Sequence, residues 1–328
     1  MDTVASVKID ILNYERFLRY YDQFTMLQEL DISEMGVRTL PTPLPCELVK
    51  LNCSLNKLTL LPTPLPPTLK VLIAFNNHID TLPLVWPAAL QHLDLGQNRL
   101  TSLAVKTTTF PPKVHLICLI QNQLTELPRL NHLAQLRRFN CGQNTLHTLA
   151  LNHLPATLEF LSCSHSQIQH CTGTFPAHLK YLYISNNQLT ALPLPLPPQL
   201  VEVELQHNCL TTLGGALPPK VKYFTCNNNQ FESLPLLPES LKHINSLNNP
   251  IFFRPLCFRG QIQEGEEDHA RLNEYIYMYL AKQRMKHNDF RWFLLFHSAN
   301  ICMHPKRIEK LVSMNILSFT DDSFSAAF

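Results

Sequence analysis

One pattern, LxxLxLxxNxLxxL, recurs along most of this 328-residue chain and constrains its fold more than any other feature. It reads LVKLNCSLNKLTLLP from Leu48, LKVLIAFNNHIDTLP from Leu69 and LQHLDLGQNRLTSL from Leu90. It continues from Val114, Leu136, Leu158, Leu179, Leu200 and Val221, and looser copies begin at Leu27 and Leu241, which makes eleven turns. The Asn position is filled by Asn56, Asn77, Asn98, Asn122, Asn144, Asn187, Asn208, Asn229 and Asn249, with Met35 and Ser166 in the two remaining turns. Successive steps are 21, 21, 21, 24, 22, 22, 21, 21, 21 and 20 residues. A unit this short cannot bury its apolar residues alone. Coils at a fixed period therefore stack and share one core, each touching only its neighbours.

Within a unit, the LxL segment has the period-two alternation of a short strand, with its two flanking Leu side chains turned inward and the neighbours turned out. Stacking aligns these strands in parallel. The Asn suits the bend that follows, because its amide offers two donors and an acceptor to backbone groups that a sharp turn leaves unpaired. Proline marks the other side of the coil. Of 25 prolines, 22 fall between Pro41 and Pro238, all in connectors such as PTPLPPT and PLPLPPQ. Proline fixes φ and lacks an N–H, so these connectors are expected to be extended or polyproline II, leaving a thin convex side. Eleven strands about 4.8 Å apart would span roughly 50 Å, enough for a protein-sized ligand.

The unit is identified as the leucine-rich repeat. Its connector phrase LPxxLxxLxxxxNxLxxLP, seen as LPPTLKVLIAFNNHIDTLP from Leu65 to Pro83, resembles the short repeats of leucine-rich effectors that pathogenic bacteria deliver into host cells. It is also similar to repeats encoded by large amoeba viruses. The resemblance covers roughly residues 27–255 and implies a curved protein-binding scaffold. One branch of those effectors adds a carboxy-terminal ubiquitin-ligase domain with a Cys-x-Asp nucleophile motif. This chain has no Cys-x-Asp, and only 69 residues follow Arg259. No catalytic residue carries over.

The expected fold class is an α/β solenoid, a horseshoe with a parallel concave sheet, an extended Pro-rich convex side and helical caps. Residues 1–26 are read as an amino-terminal helical cap, with Tyr14, Phe17, Leu18, Tyr21 and Phe24 at helical steps. Residues 27–259 form the solenoid. Residues 260–328, with helices expected around RLNEYIYMYLAKQRMK, 289–300 and HPKRIEKLVSM, form a carboxy-terminal cap or a small docking module.

The LxL register places two outward residues on each strand. Phe160, Tyr181, Tyr183 and Tyr223 cluster beside Glu202 and Glu204, with Arg138 at the edge, and Val71, Ile73, Phe75, Leu116, Cys118 and Ile120 form a more aliphatic patch. Apolar and tyrosyl side chains gathered on an open surface mark contact sites. Strand propensity alone also favours these residue types.

Composition limits the partners. A formal charge of +2, from 27 Lys and Arg against 25 Asp and Glu, with hydrophobic residues at 45%, speaks against both disorder and a polyanion ligand such as nucleic acid. No apolar run reaches the length of about 20 residues that spans a bilayer, and acidic Asp2 and Asp10 argue against a secretory signal. An intracellular, cytoplasmic location is expected, with host-cell cytoplasm the pointed case. Cys163, His165, His170 and Cys171 have the types of a zinc site, but their repeat positions send them in different directions. Cys53, Cys141, Cys163 and Cys226 take inward positions and Cys171 a final Leu position, so all five read as small core hydrophobes. No metal, cofactor or catalytic residue is expected. The reading is a non-catalytic scaffold that binds a protein partner, with host proteins the pointed case. A structural component of a larger particle such as a virion is the first alternative, and an enzyme hidden in residues 260–328 the second.

Overall fold

The computed structural model describes residues 6–8, 18, 26–235 and 237–250. Each of the eleven repeats contributes one three-residue strand to the main sheet, as the LxL pattern requires, and Ser6–Lys8 adds a twelfth ahead of them. The strands are β1 (Ser6–Lys8), β2 (Glu29–Asp31), β3 (Lys50–Asn52), β4 (Val71–Ile73), β5 (His92–Asp94), β6 (Leu116–Cys118), β7 (Arg138–Asn140), β9 (Phe160–Ser162), β11 (Tyr181–Tyr183), β12 (Glu202–Glu204), β13 (Tyr223–Thr225) and β14 (His243–Asn245). They form one sheet in that order, and every pair is parallel. The register never slips: Lys50, Val71, His92, Leu116, Arg138, Phe160, Tyr181, Glu202, Tyr223 and His243 stand side by side in one row.

Burial of a complete inward set holds that register, because a one-residue slip would turn it to solvent. The middle strand residues Leu51, Leu72, Leu93, Ile117, Phe139, Leu161, Leu182, Val203 and Phe224 are fully buried. The next inward column, Cys53, Ala74, Leu95, Leu119, Cys141, Cys163, Ile184, Leu205 and Cys226, is fully buried as well.

The asparagine column ties the coils together. Asn98 is typical: its Nδ2 donates to Leu95 O and Gly96 O in its own coil and to Ala74 O in the preceding one, all at 3.0 Å. Its Oδ1 accepts from Ile79 N at 3.0 Å, also in the preceding coil. Asn56, Asn77, Asn122, Asn144, Asn187, Asn208, Asn229 and Asn249 each donate back across the same seam, 23 to 27 residues upstream. Ser166 has no amide to reach back with. Its hydroxyl donates to Ser164 O of its own turn at 3.3 Å and accepts from Asn144 N in the preceding coil at 3.4 Å. The same two coils are joined in addition on their other side, where β8 (Thr148–Ala150) and β10 (His170–Thr172) pair in parallel as a separate two-stranded sheet.

Three features depart from the sequence reading. Residues 1–26 were expected to be a helical cap, yet Ser6–Lys8 is a strand paired with β2. It covers backbone groups that would otherwise form an open sheet edge. The predicted helix over 13–26 lies outside the described residues save Leu18 and Met26, and the helices of 260–328 lie wholly outside them. Secondly, the connectors are not uniformly extended. Many close in a tight turn in which a proline carbonyl accepts from the N–H three residues on, as Pro45 does from Leu48, Pro66 from Leu69 and Pro197 from Leu200. The 24-residue step contains a short helix, α1 (Ser102–Thr107), whose N-cap Thr101 accepts from Ala104 N. No proline lies between Pro87 and Pro111, so that segment keeps the N–H groups a helix needs. Leu151–His153 forms a single 3-10 turn. Thirdly, the residue before each Asn position is left-handed: Glu34, Leu55, Asn76, Gln97, Gln121, Gln143, His165, Asn186, His207, Asn228 and Asn248 have φ between 52° and 63°.

Two outcomes are expected in chemical denaturation. Asn98→Ala strands the buried Ile79 N–H and three carbonyls, and is expected to lower stability by about 2–3 kcal/mol. Leu55 is a bulky residue held left-handed at φ 57° and partly exposed. Leu55→Asn relieves that strain and is expected to raise stability by about 1 kcal/mol.

Candidate partner-binding surface

The outward face of the sheet is built by alternation. In β2 to β7, β9 and β11 to β13 the strand centre is buried and its two neighbours are at least partly open, so each of these coils presents two side chains in fixed columns. Adjacent coils place them one strand spacing apart, about 4.8 Å.

At β7 to β13 this face becomes aromatic. Phe160 lies between Arg138 and Tyr181 in the first column, and Tyr181 is followed by Glu202 and Tyr223. In the second column Ser162, Tyr183, Glu204 and Thr225 run in parallel. Phe160 and Tyr183 meet edge to face at 5.3 Å between centroids, and Phe160 and Tyr181 are tilted at 6.4 Å. The Arg138 guanidinium sits over the Phe160 ring, 5.0 Å from its centroid. These contacts hold the cluster in one arrangement. Tyr181 and Tyr223 remain 37% and 43% exposed. Burial, together with the Glu202 carboxylate that accepts its hydrogen bond and with Glu204, raises the Tyr183 pKa well above that of a free phenol. The tyrosine is therefore a neutral donor at physiological pH.

The aliphatic residues are arranged differently from a continuous patch. Val71 and Ile73 are on β4, Leu116 and Cys118 on β6, and β5 places His92 and Asp94 between them. Phe75 and Ile120 both approach Gly96, where an added Cβ would lie 2.8 Å from Ile120 Cγ2 and 3.0 Å from Phe75 Cδ2. The glycine leaves room for both side chains beside the end of β5. A glycine two residues beyond the strand's last outward position was the only sequence signal for this approach.

Reactive groups on the face are subdued. Burial, with Asp94 alongside, pushes the Cys118 thiol up to about 12. Burial lowers the His92 pKa, opposed by Asp94. In the core, burial pushes Cys53 up to about 12 and raises Cys163 and Cys226 too. Cys141 and Cys163 are free thiols with Sγ atoms 3.1 Å apart in adjacent coils. Cys171, expected in the core, instead forms the centre of β10 and is only partly buried. Cys163 is buried while His165 and His170 are exposed. Among the described residues no three His, Cys, Asp or Glu side chains are grouped to hold a metal ion, and no helix is long and apolar enough to cross a membrane.

Comparisons with known proteins agree with this architecture. The family model described as Leucine Rich Repeat matches residues 178–200. No curated protein matches the sequence. Among solved structures, YopM from Yersinia enterocolitica is 35% identical over 68% of this chain, with a TM-score of 0.61. This chain spans 47% of that protein, about half its length. YopM from Yersinia pestis, a leucine-rich effector protein, is 28% identical over 73% of this chain and 76% of its own, with a TM-score of 0.54. The functional domain of InlJ from Listeria monocytogenes, which includes a cysteine ladder, is 26% identical over 70% of this chain and 48% of its own, with a TM-score of 0.57. With the period, the parallel sheet, the asparagine column and these likenesses in hand, the chain is a leucine-rich repeat protein that resembles bacterial leucine-rich effectors.

Proposed function

We propose that this chain is a non-catalytic interaction scaffold that works inside a cell and binds a folded protein, a host protein in the effector setting, through the concave face of its sheet. The observation that carries this reading is the aromatic group Phe160, Tyr181, Tyr183 and Tyr223. It lies on the outward side of a rigid parallel sheet, with two of its tyrosines more than a third exposed. Tyrosine in such a place supplies contact area with a polar tip at little cost in side-chain entropy. The partly exposed Val71, Ile73, Phe75, Leu116 and Ile120 extend the apolar surface toward the amino-terminal half, and Arg138 separates the two regions.

Two further facts support an interaction role over chemistry. The Cys118 thiol on the outward face has its pKa raised, which suppresses the thiolate a nucleophile needs there. The likeness to leucine-rich effector proteins covers about seven-tenths of the chain.

The test is affinity capture from host-cell cytosol with the native chain and with Tyr181→Arg/Tyr183→Arg. Both side chains point outward, so the double variant is expected to melt within a few degrees of the native protein and to lose the captured partner. Leu84→Arg/Val85→Arg alters the exposed connector residues Leu84 and Val85 and is expected to keep the partner. Loss of capture in the connector variant alone would overturn the concave-face reading.

A further inference from the structure

Beyond that scaffold reading, on which it rests, we infer that the row Tyr181, Glu202 and Tyr223, with Glu204 beside it, seats an arginine side chain presented by the protein partner. The register sets Glu202 between two tyrosines, Tyr181 on β11 and Tyr223 on β13. Two strand spacings separate those tyrosines by about 10 Å at the backbone, room for one planar group above the intervening carboxylate. Glu204 follows Glu202 on the same face, with only Val203 turned inward between them. Two carboxylates side by side repel each other and attract a cation.

Among the described residues neither glutamate has an ion-pair partner, and the ion pairs involve Glu29, Glu126 and Glu159. Glu202 accepts from the Tyr183 hydroxyl, and Glu204 from Gln206 Nε2 at 3.4 Å. Each carboxylate therefore keeps oxygen lone pairs for an incoming donor. Lys180 before β11 pairs with Glu159, and Lys222 before β13 and His243 beyond Tyr223 pair with neither glutamate.

The same face shows the recognition mode once already. Two strands away, the Arg138 guanidinium lies over Phe160. A guanidinium stacks on aromatic faces and bonds carboxylates through its planar fork, while an ammonium is a compact point charge. Tyrosine walls around a paired carboxylate floor therefore favour arginine over lysine. Charge complementarity thus names the partner's chemistry: a protein surface or extended segment that projects an arginine into this row.

The experiment uses the full chain with 13C-labelled tyrosine rings and the peptide acetyl-Gly-Arg-Gly-amide, its citrulline isostere and its lysine counterpart. The arginine peptide is expected to shift the ring resonances of Tyr181, Tyr183 and Tyr223, and Glu202→Gln/Glu204→Gln to weaken its binding about tenfold. The citrulline isostere, planar but uncharged, is expected to leave them unmoved. Equal shifts with the lysine peptide, or none with arginine, overturn the inference. The same double variant in the capture experiment separates this inference from the scaffold reading. A partner lost by Tyr181→Arg/Tyr183→Arg but retained by Glu202→Gln/Glu204→Gln overturns the arginine seat and leaves the concave-face reading standing. A partner lost by both supports the two together.

Discussion

Everything in this solenoid hangs on one amide. At the bend after each strand the chain reverses direction inside the protein, where water cannot satisfy its peptide groups, and an unpaired buried N–H or C=O costs about 1–3 kcal/mol. The Asn side chain meets that demand from both ends. Nδ2 supplies protons to two carbonyls of its own turn and one of the turn before, and Oδ1 takes the N–H that the earlier coil leaves over. The bend is thereby made tolerable, and each coil is registered on its predecessor. Strand alignment, core columns and the rows of the outward face all inherit that registration.

How far the structure was legible follows from which interactions are periodic. The strand positions, the parallel order and the buried columns could be read from LxL and Asn, since each coil repeats the same physics. The left-handed residue ahead of each Asn could not. Its identity varies from Glu34 to Leu55 to His165, and it is left-handed even ahead of Met35 and Ser166, so the bend itself sets the conformation whatever side chain stands there. Departures from the period were equally opaque. The helix at Ser102–Thr107 needed only the absence of proline, and β8 and β10 pair through backbone groups that carry no side-chain signature.

The candidate surface was half visible in the same sense. Which residues face outward follows from alternation, and Phe160, Tyr181, Tyr183, Glu202, Glu204 and Tyr223 stand on that side of their strands. Which of them touch does not. The placement of Arg138 on Phe160 and the approach of Phe75 and Ile120 to Gly96 depend on rotamers and on local strand geometry. One strand thus serves two purposes by residue parity. The strand centre is packed in the core, and the residues on either side of it form the outward face.

The serine at 166 shows what happens when the amide is withdrawn. Its coil and the preceding one are clasped through main-chain pairing between Thr148–Ala150 and His170–Thr172. A fastening made of peptide groups does not depend on which side chains border it. Here two coils are held by main-chain pairing on two sides, β7 with β9 and β8 with β10, so this junction leans less than its neighbours on the side chain at the bend.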